Sequence, residues 1–503
     1  MTHSSRRDFL VTASAAATAL AITSSRRAWA NPAAAAGPVQ VWGTYRDRRH
    51  TATDSLTWKP AAEIAADAIA LDPGSTRQEM LGFGAALTDA SCWVLSQMPA
   101  EERAALMHEL FSPNEMAMNV CRSCIGSSDY SKELFSYDDS EQDDPELKKF
   151  TIDHDKAYVL PVIREARKQN PEMFLFSSPW SPPAWMKFNR SMLGGTIKKS
   201  TLEPYSRYML KFVQAYEAEG VPVNAITVQN ETDTTVDGRY ASCLWSQEDE
   251  ILFVARYLGP LFRKNNIATK IWVLDHNFTL WGRAIAELSD SEARPYIDGI
   301  AWHGYAGEPS AMSLVHDAFP QSSAFFTEGG PRRAPGRQSN ANGPMAAWTQ
   351  WAAWANDVCR NWCRSITMWN IALDEYGSPY IGVREGVNGM AAPASEQRRV
   401  VRMGSGVVTV ENESHKVTRS ARFWACAHYS KHVKRGAKAF QTNGIGAANA
   451  PSPISHVGFR NPDGSYVVVL ANSGPERRVQ LLLGNSALDI GLPADSVHTL
   501  QWS

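Results

Sequence analysis

From residue 82 onward, a short apolar run, a polar or glycine break and an amphipathic helix recur eight times in series. No other feature limits the possible folds of this chain so sharply. The strands are expected near 82–88, 118–126, 173–178, 224–229, 270–275, 298–303, 323–327 and 365–370. Most are near-continuous apolar runs, as parallel strands covered on both faces should be. The helices between them include EERAALMHEL, PYSRYMLKFVQAYEAEG, EDEILFVARYLGPLFRKN and MAAWTQWAAWANDVCRNW, and the last one, SARFWACAHYSKHV, comes late. Eight such units suggest an α/β chain folded as a (β/α)8 TIM barrel, with a doubly wound open sheet as the alternative.

The two ends of the chain read differently. Strand-like runs occur at VQVWGTY (39–45) and EIAADAIALD (63–72), and again at HVGFRNPDGSYVVVLAN and RRVQLLL after about residue 437. Asp463-Gly464 between two apolar runs is a hairpin signal. We therefore expect an appended β-sandwich built from residues 38–74 and 437–503, with the barrel spanning 75–436. Residues 1–30 read as an export signal rather than as structure. Ser5-Arg6-Arg7-Asp8-Phe9-Leu10 precedes a mild apolar run to Ile22 and an Ala28-Trp29-Ala30 cleavage pattern, which together resemble a twin-arginine signal. The apolar run is shorter than the roughly 18 residues a bilayer requires, and no integral membrane segment is expected. Residues 31–37 read as a flexible lead-in. Seven cysteines are an odd number, and Cys121 and Cys124 lie on one expected strand with side chains on opposite faces. Buried thiols are expected in place of a redox pair or metal clip. The net charge of −2 provides no field for nucleic acid or an anionic membrane surface.

Active sites of such barrels form at the C-terminal strand ends. Polar residues there are Thr88-Asp89, Arg122 with Ser128-Asp129, Asn230-Glu231, Asp275-His276, His303-Gly304-Tyr305, Thr327-Glu328 and Trp369-Asn370, and Trp180 stands in a proline-rich loop after strand three. Glu231 and Glu328 end strands four and seven, on opposite sides of the mouth. Two carboxyl groups flanking a bond are what glycoside hydrolysis requires, one protonated and one ionised. Arg122 is placed to keep Glu328 ionised. Trp180 and Trp369 face the mouth, where indole rings stack on sugars. Asp275-His276 has no H-E-x-x-H or Cys/His spacing around it, so no metal site is expected.

These stretches resemble glycoside hydrolase family 30, and within it the glucosylceramidases and β-1,6-glucanases. The resemblance is carried by GFGAALTDAS (82–91), RSCIGSSDYS (122–131), SPWSPPAWMK (178–187), ITVQNET (226–232), GIAWHGY (299–305), FFTEGG (325–330) and WNIALDEYGSP (369–379), in order across almost the whole mature chain. It implies a retaining mechanism, with Glu231 as acid/base and Glu328 as nucleophile. It also implies sugar contacts from Asp89, Trp180, Asn230 and Trp369, with His303 and Tyr305 beside the nucleophile. No cofactor is implied. The substrate would be a β-glycoside or β-glucan, with a glycolipid as one form. Two positions depart from the pattern: Thr232 stands where proline is common, and Gly304 stands where many glucosylceramidases carry a bulky residue. β-1,6-Glucanase or β-xylosidase action is the alternative within the family. A carbohydrate-binding protein without catalysis and a metal-dependent hydrolase are the alternatives outside it.

Overall fold

The computed structural model describes residues 37–234, 240–331, 347–381, 406–447 and 452–503. The expected signal at 1–30 lies outside these residues. Eight parallel strands run β1 (Gly82–Ala85), β2 (Val120–Ile125), β3 (Phe174–Pro179), β4 (Ala225–Thr227), β5 (Lys270–Asn277), β6 (Gly299–His303), β7 (Ala324–Glu328) and β8 (Cys363–Met368). From β2 onward each pairs with the next, and β8 pairs with β1. The ring closes where Ala86 bridges Arg122 and the Leu87 amide donates to the Arg122 carbonyl at 2.7 Å. This is a closed barrel and excludes the doubly wound open sheet. Among the described residues no helix is long and apolar enough to cross a membrane.

The barrel interior is layered, and the layers follow from the two-residue period of a strand. Val120, Phe176, Ala225, Trp272, Ala301 and Phe325 form an apolar layer inside the ring, with the Trp272 and Phe325 rings stacked at 4.0 Å. Two residues further along five of those strands stand Arg122, Ser178, Thr227, His303 and Thr327. These form a polar layer immediately below the mouth. On β5 the step is three residues, from Trp272 to Asp275. The β5–β6 register slips there, and Leu274 and Asp275 both have positive φ, 73° and 44°. The extra residue is a β-bulge, which turns Asp275 inward and Leu274 outward. The Leu274 amide is held by the Glu250 carboxylate at 3.1 Å.

Strands from both chain ends share a second sheet of ten. Val39–Tyr45, Arg48–Leu56 and Ile69–Glu79 join the strands Lys438–Asn443 through Ser496–Trp502. Val468 and Leu470 bury into that unit's own core, whereas the alternating Val467, Val469 and Ala471 pack on the barrel. A sheet covered on both faces explains the unbroken apolar run VVVLA. The hairpin at Asn461–Gly464 turns with Gly464 at φ 89°. One expected strand is corrected: EIAADA is bends and turns, and pairing begins only at Ile69. Its alanines and acids offer no alternating apolar face. Arg48–Leu56, almost wholly polar, pairs with Val39–Tyr45 as an edge strand that hydrophobic patterning does not reveal. A helix at Asp89–Ser96 is likewise additional to the expected set.

Candidate active site

Arg122 organises the mouth. It is fully buried, so each of its five N–H groups must find an acceptor. Nε donates to Ser178 Oγ at 3.1 Å, Nη1 to Glu328 Oε2 at 2.5 Å and the Thr327 carbonyl at 3.5 Å, and Nη2 to Asn230 Oδ1 and Asp275 Oδ2, both at 2.8 Å. One guanidinium therefore ties the ends of β2, β3, β4, β5 and β7 together. Asp275 accepts four hydrogen bonds: from Arg122, from Thr227 Oγ1 and Thr327 Oγ1 at 2.7 Å each, and from His303 Nε2 at 3.0 Å. Burial works against its charge, but Arg122 and His303 hold it well below the ordinary carboxylate range.

His303 is also fully buried and bridges two acids, with Nε2 on Asp275 and Nδ1 on Glu231 Oε1 at 3.2 Å. Burial lowers its pKa, but the Glu328 charge and the bonds to Asp275 and Glu231 win, and it rises to about 9. An imidazolium fits this geometry, since both nitrogens then donate. Glu231 sits at φ 49°, a strained backbone for a non-glycine residue, and its amide donates to the Asp275 carbonyl at 3.0 Å. Burial opposes its charge, while His303 and His276 pull its carboxyl below the usual value. Glu328 accepts from Arg122 and, at 2.8 Å, from Tyr305 Oη. Burial raises its carboxyl against the His303 and Arg122 charges, and the Glu231 charge raises it further. The charges of Arg122 and His303 are balanced by Asp275 and one ionised glutamate, so these charges cancel when the two glutamates share a single proton. Asp129, near both glutamates, is pushed well above the ordinary range by burial and by their charges.

The remaining expected residues divide into three groups. Asn230 and Tyr305 join the network directly, and Tyr305 is 51 % exposed at the mouth. Trp180 and Trp369 lie over Arg122, 4.7 and 5.4 Å from its guanidinium carbon, and stack on each other at 5.1 Å. They are only 2 % and 9 % exposed, so less of each ring meets the mouth than strand-end position implies. Asp89 is held by a cluster of its own. It accepts from Tyr158 Oη at 2.7 Å, His154 Nε2 at 2.8 Å and the Lys132 amide at 2.8 Å.

Both departures have local explanations. A Cβ on Gly304 would lie 3.0 Å from Phe326 Cζ and 3.2 Å from the Gly330 carbonyl, so glycine allows β6 and β7 to approach closely there. Thr232 is buried with its hydroxyl unpartnered, and its carbonyl accepts from the Trp245 amide at 2.8 Å. Thr232 and Asp233 also border a cavity of about 660 Å3 that Phe188, Ile197, Lys198 and Trp245 help to line.

Sequence reading gave no role to Asp275, His276 or Asp129. The bulge on β5 hides the inward aim of Asp275 from any two-residue pattern. His276 faces Glu231, with Nδ1 3.9 Å from Oε1, and its Nε2 is engaged by Asp233 and Thr234. Glu231, His276 and His303 together offer three ligand atoms within 4.8 Å of one another. They come from three different strand ends, so no local sequence motif announces them. All seven cysteines are buried and unpaired, and burial raises Cys121 to about 12.

Comparison with known proteins matches the glycosyl hydrolase family 30 TIM-barrel domain over residues 80–391 and the family's β-sandwich domain over 436–500. An endo-1,6-β-D-glucanase of Neurospora crassa is 29% identical over 80% of this chain and 80% of its own. Lysosomal acid glucosylceramidase of Mus musculus is 27% identical over 86% of this chain and 83% of its own. The solved structure titled "The endo-beta1,6-glucanase BT3312" is 27% identical, with a TM-score of 0.78 over 93% of this chain and 99% of its own. The closed barrel and the second sheet are thus accounted for together: this chain belongs to glycosyl hydrolase family 30 and is a glycoside hydrolase.

Proposed function

We propose that the enzyme hydrolyses β-glucosidic bonds with retention of configuration, through a covalent glycosyl-enzyme on Glu328. The observation that carries this reading is the asymmetry of donors around the two glutamates. Glu328 accepts from Arg122 at 2.5 Å and from Tyr305 at 2.8 Å, contacts that serve an anion and suit a nucleophile. Glu231 has the longer bond from His303 at 3.2 Å, which leaves room for a proton to be given and taken. Glu328 attacks the anomeric carbon while Glu231 protonates the leaving oxygen. Glu231 then takes a proton from the water that releases the sugar. For this the shared proton must sit on Glu231 at attack, against the pull of His303. Asn230, held by Arg122, would meet the sugar 2-hydroxyl in this reading, a contact that strengthens in the transition state.

The relatives include an endo-1,6-β-D-glucanase and a glucosylceramidase, which supports a β-glucoside as the substrate class. The cavity is lined by Thr232 and Asp233, which follow Glu231 in the chain, and would receive the leaving group in this reading. A panel of aryl β-glucoside, aryl β-xyloside, β-1,6-glucan and glucosylceramide tests this reading. We expect turnover of the glucoside and at least one natural glucan or glycolipid, reduced by a factor of about 10⁴ or more in Glu328→Gln. Full activity in that variant, or turnover of xyloside alone, would overturn it. We further propose export by the twin-arginine route, supported by residues 5–30. N-terminal sequencing of protein from the cell envelope should begin just after Ala30.

A further inference from the structure

We propose that Glu231, His276 and His303 form a three-ligand site for a borderline divalent cation of the Zn2+ type, and that its occupancy withdraws Glu231 from proton transfer. The binding half stands on geometry alone. The inhibitory half rests on Glu231 acting as acid/base.

Three observations converge. The His276 Nδ1 atom is buried without a hydrogen-bond partner, on a side chain only 4 % exposed. It faces Glu231 Oε1 at 3.9 Å, too far for a hydrogen bond and wide enough for a cation to sit between. His303 Nδ1 lies 3.2 Å from the same oxygen, and the three ligand atoms fall within 4.8 Å of one another. Tetrahedral Zn2+, with bonds of about 2.0–2.2 Å, sets its ligand atoms roughly 3.3–3.5 Å apart, so His276 must close on Glu231 by about half an ångström, and the two ring nitrogens on each other by up to about 1.4 Å, to complete the site.

The far side of each ring is the third observation. His276 Nε2 donates to Asp233, and His303 Nε2 donates to Asp275 at 3.0 Å. A metal-binding histidine characteristically has its second nitrogen on a carboxylate, which fixes the tautomer and aims the lone pair at the metal. Both rings have that support, and both near nitrogens converge on one glutamate. On binding, His303 Nδ1 and Glu231 give up any proton they hold to solvent. Three protein ligands leave a fourth position for water or a sugar hydroxyl. The other histidine cluster lacks this convergence, because both nitrogens of His428 are taken by Thr44 and Thr499.

The test uses full-length protein stripped with a chelator and titrated with Co2+. A tetrahedral site gives intense visible d–d bands at one equivalent, displaced by Zn2+. The bands should vanish in folded His276→Gln and weaken about 10–100-fold in affinity in Asp233→Asn. Zn2+ should inhibit glucoside hydrolysis with the midpoint seen in binding, reversed by chelator, each variant being scaled to its own metal-free rate. Absent bands, or bands unchanged in both variants, would overturn the site. If His276→Gln does not fold, Asp233→Asn carries the comparison. Bands without any glycoside turnover would leave the site standing and sink the functional reading. Turnover without bands or inhibition would do the reverse.

Discussion

His303 is the residue on which the charge balance of the mouth turns. Its pKa is raised to about 9 from an ordinary 6.5, so the folded protein binds its proton more tightly than the unfolded chain does. The sign follows from linkage: this stabilisation is complete below pH about 6.5 and is lost as pH rises through about 9. A shift of that size corresponds to roughly 3 kcal/mol. Denaturant unfolding at pH 6 and pH 10 should therefore show wild type losing about that much more than His303→Asn. Equal losses would mean that the ring is neutral in the fold. The sequence pointed to both glutamates, Arg122 and His303 because each ends or lines a strand in a recognisable stretch. It was silent on how Arg122 divides its five donors, since that depends on five strand ends meeting in space.

Elements decide where those residues point. The eight strands were legible because buried parallel strands leave apolar runs, and their observed ends differ from expectation by a few residues. What patterning missed are the local irregularities: the bulge at Leu274–Asp275, the positive φ of Glu231 and the short helix Asp89–Ser96. That helix begins at Thr88, whose hydroxyl accepts from the Ser91 amide at 3.1 Å and donates to Asn370 Oδ1 at 2.8 Å. It thus caps a helix after β1 and ties it to the end of β8. Thr88→Ala should lose the cap, worth about 1 kcal/mol, and orphan a buried acceptor, for a total near 2 kcal/mol. Urea unfolding would measure this, with Thr88→Ser expected to retain most of the stability. No change in Thr88→Ala would mean that the cap is redundant.

For the molecule as a whole, the barrel and the ten-stranded sheet meet across a cluster of buried histidines. His50 and His498 come from the sheet, and His428 and His432 from the Ala421–Ser430 helix and the turn after it. His50 Nε2 lies 3.0 Å from His432 Nε2, and His428 bonds Thr44 and Thr499. Burial pushes His432 and His498 down to about 4 and His50 to about 3, so all are neutral in the fold. Here the sign is opposite to that of His303. The unfolded chain takes up these protons first, so stability falls as pH drops from about 6.5 towards 4. The buried His432 and His498 alone account for up to about 3 kcal/mol per pH unit. Denaturant midpoints between pH 4.5 and 7 should fall less steeply in a His50→Gln/His498→Gln variant, and an unchanged slope would place the acid sensitivity elsewhere. None of this interface was legible in the sequence. The histidines are scattered across more than 400 residues, and only the joining of the two chain ends brings them together.

The central claim, a covalent intermediate on Glu328 formed with the help of Glu231, is tested most directly by trapping. The mature enzyme would be incubated with a 2-deoxy-2-fluoro-β-glucosyl fluoride, and its intact mass and peptide map recorded. The expected result is a gain of one fluoroglucosyl unit on the peptide carrying Glu328, absent from Glu328→Gln. A label on any other residue, or steady turnover to the inverted product with no label at all, would contradict it.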